Sequence, residues 1–386
     1  MKIAYHCCEC RKQFETDELL YLCPDCSPAQ KRGGILRGAL RVELPTERLR
    51  RELNPATFHA RDLLPLPPGT IPAYPVGDTP LTAPDRLRRE LGFAHLHLKD
   101  DSLNPTGSLK DRASLLVAAQ ARHLGMREIV MASTGNAASA MAGVAAFCGL
   151  KAKVYVPETA PAAKLAQARA FGAEVIPVAG TYDEAYELSL EDSRRSGGLN
   201  RNTAYNPMTI EGKKTVALEI FQQLGGKAPD LVFVPVGDGV ILAGVAKGFA
   251  DLQALGWIEE VPRLVAVQAE GSDVIVSALE SGGRIEPRRG ARTVADSILV
   301  EAPRNGIMAV QDLESAKGFG VRVSDEAILQ AQLDLARLAG CFAEPAAACA
   351  YAGFLASRDV LAKVATVVVL ITGSGLKDIA AVTAAE

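Results

Sequence analysis

From Leu96 onward, short apolar runs alternate with longer segments of helical pattern, and this alternation constrains the fold more than any other feature of the chain. Seven runs read as strands: Leu96–Leu98, Ile129–Ala132, Val154–Val156, Val175–Val178, Leu231–Val236, Leu264–Gln268 and Val367–Ile371. Runs of this length separated by helices form βαβ units, whose strands are parallel. The expectation is an α/β protein built on open parallel sheets, with ligands bound beyond the carboxyl ends of the strands. With 386 residues, 48% of them apolar, the chain can bury enough surface for two or three domains.

Three of those strand ends carry turns of small residues. Glu128–Ala132 runs into Ser133-Thr134-Gly135-Asn136 and then an alanine-rich helix from Ala137 to about Cys148. Leu231–Val236 runs into Gly237-Asp238-Gly239 and a helix from about Val240 to Leu252, and Val367–Ile371 runs into Thr372-Gly373-Ser374-Gly375. A helix that starts at such a turn leaves backbone N–H groups open, and these bind carboxylate or phosphate. The plainer reading is an ordinary capped turn. Glycines let the backbone approach a phosphate closely. The loop at Gly237 lacks the G-x-G-x-x-G spacing, so no dinucleotide site is expected.

The stretch Asn104-Pro-Thr-Gly-Ser-Leu-Lys110-Asp-Arg112 places one lysine at the mouth of a further helix. Ser108 and Asp111 form an S-x-x-D capping signal, which predicts a helix from near Ser108 through Val117. Lys110 then sits in the first turn, where the helix dipole favours the neutral amine. A neutral lysine suits Schiff-base chemistry on an aldehyde. A solvated surface lysine is the alternative at this point.

Taken in order, Asn104 to Arg112, Ser133-Thr-Gly-Asn-Ala-Ala-Ser-Ala140, Pro235-Val-Gly-Asp-Gly239 and Thr372-Gly-Ser-Gly-Leu-Lys-Asp378 resemble threonine synthase and its relatives. These are pyridoxal-phosphate (PLP) enzymes of fold type II, which are tryptophan synthase beta-like. Gly77–Leu81, Ile210–Thr215 and Phe342–Ala346 fit the same family, and the resemblance runs from about residue 70 to the C-terminus. It implies two open parallel α/β domains: a large PLP-binding domain of residues 85–124 and 216–386, and a small mobile one of 125–215. It also implies PLP as cofactor, a small-molecule amino-acid substrate, a homodimer, and conversion of O-phospho-L-homoserine and water to L-threonine and phosphate. Serine/threonine ammonia-lyase, or another PLP β-replacement enzyme, is the rival within the same fold.

The resemblance assigns roles by position. Lys110 would carry the cofactor as a Schiff base and move the Cα proton, with Ser133 and Thr134 also at the reacting centre. Asn136 would bond the cofactor's phenolic oxygen. The turn Ser133, Thr134, Gly135, Asn136 and Ala137 would hold the substrate carboxylate, with Thr106 and Ser108 as further substrate contacts. The backbone of Gly237, Asp238, Gly239, Val240 and Ile241 would cradle the cofactor phosphate. Thr372 would face the pyridine nitrogen, where a hydroxyl does not enforce a protonated ring. A carboxylate against a phosphate is repulsive, so the Asp238 side chain is expected to point away from the ligand.

Five of the eight cysteines fall in the first 26 residues. Cys7-x-x-Cys10 and Cys23-x-x-Cys26 are two knuckles with the spacing of a zinc ribbon, expected over residues 1–43. Such a ribbon also precedes the catalytic region of threonine synthases. Residues 44–84 read as a proline-rich linker and N-terminal extension. Cys148, Cys341, Cys349 and Trp257 are expected in packing roles, and Glu344 as a cap or loop-holder. A net charge of −3 speaks against nucleic acid, no apolar run is long enough to span a bilayer, and the first residues hold no apolar leader. The expected setting is the cytoplasm. A reading of a different class is a ribbon that binds a partner, with the PLP-type body regulatory.

Overall fold

A computed structural model describes residues 2–67 and 69–383. They gather into two compact units that are not contiguous in sequence. The first holds the residues up to Leu44, Arg61–Val76 and Asn104–Lys213; the second holds Pro45–Ala60, Gly77–Leu103 and the described residues from Lys214 onward. The Lys110 helix thus falls in the first unit, whereas the sequence reading draws residues 85–124 with the C-terminal body. The reason is its packing. Leu115–Ala119 of that helix share one apolar core with Ile129, Met131, Met141 and Val144.

The first unit contains two sheets. In the ribbon sheet Ile3–Cys7 lies between Gln13–Thr16 and Leu40–Glu43, antiparallel to both. The second sheet is parallel throughout, in the order Glu174–Val178, Lys151–Pro157, Glu128–Ala132, Leu199–Asn200. Tyr5, Leu40 and Val42 of the ribbon belong to the same core cluster as Leu116, Val144 and Val154. A ribbon whose apolar side is the body's own core is a structural part of this unit, which weakens the reading of it as a free recruitment module.

The second unit is built on a six-stranded sheet in the order Phe319–Val323, Arg263–Ala269, Leu231–Pro235, Val367–Ile371, Leu96–Asp100, Leu81–Thr82. All neighbours are parallel except the last pair. Val367–Ile371 is buried at every position, as a central parallel strand requires. The alanine-rich segment forms the helix Pro345–Ser357, with Phe354 edge-on to Phe93 and Phe233. Trp257 packs against Phe58 and Phe221, with centroids 4.7 and 6.4 Å away.

All seven expected strands form, none of their ends displaced by more than three residues. Leu81–Thr82, Leu199–Asn200 and Phe319–Val323 had no apolar run to announce them; each lies at a sheet edge. The proline-rich stretch is not wholly irregular, since Thr46–Glu52 is a helix. Cys341 and Cys349 are buried and Cys148 is half-buried. No helix among the described residues is long and apolar enough to cross a membrane.

Candidate active site

In the first unit, Lys110 is the first residue of the helix Lys110–His123. The S-x-x-D cap does not form: Leu109 occupies the N-cap position and no side chain bonds there. Asp111 instead accepts from the backbone N–H of Thr106 at 2.8 Å and from the Thr106 hydroxyl. The turn Asn104–Gly107, closed by Gly107 N–H to the Asn104 carbonyl at 2.8 Å, folds back on the helix and brings Thr106 to Asp111. Thr106 is therefore committed to the turn that presents Lys110. Ser108 is released from capping. Its buried hydroxyl has no hydrogen-bond partner and lies two residues before Lys110.

The turn Ser133–Asn136 follows the strand Glu128–Ala132 at its carboxyl end. The Gly135 N–H donates to Ser133 Oγ at 3.3 Å, and the helix Asn136–Cys148 opens with Asn136 almost wholly buried. Ala137 is the second residue of that helix and Thr134 sits in the turn. Among residues missed by the sequence reading, Asn202 accepts from the Ala132 N–H at 2.8 Å and donates to Ser189 at 2.7 Å. It anchors the strand end that carries the turn. No local pattern in Leu199-Asn-Arg-Asn-Thr203 singles it out.

In the second unit, Gly237, Asp238 and Gly239 join the strand Leu231–Pro235 to the helix Val240–Ala254. Gly239 has φ +86°, a conformation that suits only glycine, and caps the helix. A Cβ on Gly237 would stand 2.9 Å from Ile298 Cα, so the loop is pressed against the segment behind it. The carboxylate of Asp238 accepts from the Arg304 N–H at 3.0 Å, and its carbonyl from the Asn305 N–H at 3.1 Å. One carboxylate oxygen of Asp238 is thus engaged by the backbone at Arg304. Asn305 was not foreseen; its buried amide has neither nitrogen nor oxygen bonded.

Thr372 follows the neighbouring strand Val367–Ile371, and is also buried. The two loops therefore share the carboxyl edge of one sheet, where open α/β folds bind ligands. The Glu344 N–H donates to the Gly373 carbonyl at 3.0 Å and holds the Thr372 loop. A lysine opening a helix after an unbonded buried hydroxyl, and a glycine cradle at a helix start, fit an aldehyde and a phosphate respectively.

The four ribbon sulfurs of Cys7, Cys10, Cys23 and Cys26 lie within 4.8 Å of one another. Cys7 and Cys26 are 3.8 Å apart, and Cys10 and Cys23 3.7 Å. A tetrahedron with metal–sulfur bonds of about 2.3 Å has edges of about 3.8 Å, so the donor set fits a four-coordinate metal.

The family profile described as Pyridoxal-phosphate dependent enzyme matches residues 73–373. Threonine synthase of Methanosarcina acetivorans is 36% identical over 384 residues, covering 97% of this chain and 92% of that protein. The corresponding protein of Methanocaldococcus jannaschii is 35% identical, covering 96% and 92%. Among solved structures, the processed form of threonine deaminase isoform 2 from Solanum lycopersicum superposes with a TM-score of 0.69 at 25% identity, covering 82% of this chain and 90% of that one.

Proposed function

The chain belongs to the pyridoxal-phosphate dependent enzymes, in the threonine synthase family, and on that premise we propose that it converts O-phospho-L-homoserine and water to L-threonine and phosphate. The supporting observation is likeness over nearly the whole length, 97% of the chain at 36% identity, to a threonine synthase. The deaminase-like structures support the ammonia-lyase reading less well, at 25–30% identity over 77–82% of the chain.

When bound, PLP supplies an aldehyde that takes up amino groups and a ring that draws electrons from the substrate's Cα. The residues of this chain then have definite duties. Lys110 Nζ holds the cofactor and moves protons, taking the one at Cα first. The backbone N–H groups of Gly237 to Ile241 bind the cofactor phosphate. Asp238 is kept out of that cradle by its bond to Arg304. Asn136 orients the ring, and the Ser133–Ala137 turn holds the substrate carboxylate, with Ser108 a further polar contact. Thr372 offers the pyridine nitrogen a neutral hydroxyl. Burial of Asn136, Ser108 and Thr372 excludes water from these contacts and strengthens each one.

Holoenzyme supplied with O-phosphohomoserine is expected to release phosphate and threonine in equal amounts. Phosphate without threonine, or neither product, would remove the synthase reading; ammonia and a keto acid from threonine or serine would install the lyase.

Zinc is the ion we assign to the four ribbon thiols, and a homodimer in the cytoplasm is the assembly. Native mass spectrometry is expected to show two chains of 40.8 kDa with two zinc ions, and one ion fewer per chain in Cys23→Ser. An apo monomer of normal activity would overturn both assignments.

A further inference from the structure

In the first unit a cavity of about 90 Å³ lies where the ribbon meets the body. It is lined by the strand Ile3–Cys7, the residues around the end of Gln13–Thr16, Leu66, and the last turn of the helix Lys110–His123. A single water needs only about 10–15 Å³ of such space, so the cavity has room for a small molecule.

Two of its lining side chains are buried, and each holds an unused donor. Tyr5 is 2% exposed, and its hydroxyl bonds to no described residue. Gln120 is 5% exposed, and its side-chain oxygen accepts from Asn206 Nδ2 at 3.2 Å. The orientation of Asn206 is set from elsewhere. Its oxygen accepts from the Met208 N–H at 2.9 Å, and its nitrogen also donates to the Asn200 carbonyl at 2.9 Å. The amide nitrogen of Gln120 is therefore the atom left over, and no described residue accepts from it. Buried polar groups find partners, and two donors lining one space suit an acceptor with two oxygens, a carboxylate.

The solvent side has the opposite character. Asp17 and Glu18 also line the cavity, but they are exposed, and neither carboxylate is paired with a described residue. They repel a simple anion and attract an ammonium. The C-terminal end of the Lys110 helix favours the same positive charge, and exposed His123 adds one further polar group. Ile3, Leu19, Leu66 and Leu124 supply apolar wall.

We propose that this cavity, between the ribbon strand and the last turn of the Lys110 helix, binds a free neutral α-amino acid with an aliphatic side chain. Its carboxylate takes the donors of Tyr5 and Gln120, its ammonium meets Asp17 and Glu18, and its side chain lies on the apolar wall. None of the residues lining the cavity belongs to the candidate active site. At 1.5 Å per residue, the helix puts His123 about 20 Å from Lys110, so the occupant is an effector and not the substrate. It braces the ribbon against the helix that Lys110 opens.

The test is calorimetric titration of the PLP-loaded enzyme with L-alanine, L-valine, L-isoleucine and L-aspartate, with the cofactor's absorbance followed in parallel. An amino acid that reaches the cofactor alters its colour, whereas one held in the cavity does not. At least one of the three aliphatic amino acids is expected to bind once per chain without a change of colour, and aspartate is not. Tyr5→Phe, which removes only the hydroxyl, should weaken that binding about tenfold, the loss of one hydrogen bond to a charged group. Glu18→Gln, at an exposed position, should weaken it by about two- to fivefold, as a partly screened charge does. No colour-silent binding of any of the three would overturn the proposal, and so would binding of equal strength in Tyr5→Phe. Should Tyr5→Phe not fold, equal strength in Glu18→Gln would overturn it instead. A wild-type protein that makes no threonine defeats the proposed reaction and leaves this site standing, because the titration reads binding and not turnover.

Discussion

Replacing Lys110 by alanine will lower turnover by about a thousandfold or more, the scale of a lost proton-transfer group, compounded by the lost covalent hold on the cofactor. The variant should also lose the yellow colour of a lysine-linked cofactor while binding PLP reversibly. Its stability should change by about 0.5 kcal/mol or less, because Lys110 is a half-exposed first residue of its helix and adds nothing to the core. The separation of these two effects is the informative part. An inactive variant with an unchanged unfolding transition places the defect in chemistry, and an active one removes Lys110 from the reaction.

Glu219→Ala is expected to act the other way, through stability. Lys99 is completely buried on the strand Leu96–Asp100, and its ammonium donates to Glu219 at 2.6 Å, to the Thr79 carbonyl at 2.6 Å and to Gln223 at 3.0 Å. The other carboxylate oxygen of Glu219 accepts from the Asp78 N–H at 3.0 Å. Removing Glu219 strands a buried cation and one backbone donor, at a cost of about 3–5 kcal/mol. Lys99 pairs in register with Leu370, two residues before Thr372, so the damage lies next to the strand that carries the Thr372 loop. Urea unfolding measures the loss. Lys99→Met combined with Glu219→Leu should recover most of it, because an apolar pair of similar size removes both charges. A single variant as stable as the wild type would show that water reaches this pair.

Apolar patterning made the buried strands readable but missed three of the four edge strands of the two larger sheets. Val367–Ile371 was legible to the residue because every side chain faces protein. Phe319–Val323 was not, since its Arg322 points to Asp273 and Glu280 at 2.6 and 2.7 Å and breaks the apolar run. Local rules also failed where a distant or returning segment competed. Ser108 and Asp111 have the spacing of a cap, but the fold of the Asn104–Gly107 turn gives Asp111 to Thr106. The Asp238 carboxylate accepts from the backbone N–H of Arg304, and nothing nearby in sequence pointed to that partner 66 positions on.

If the four ribbon thiols hold zinc, the core shared by the ribbon and the Lys110 helix makes the body's packing depend on a trace element. Newly made chains whose knuckles stay empty would then expose Tyr5, Leu40 and Val42 to solvent and loosen the Lys110–His123 helix packed on them. Protease would then cut within Lys110–His123 after chelation and spare the metal-loaded form.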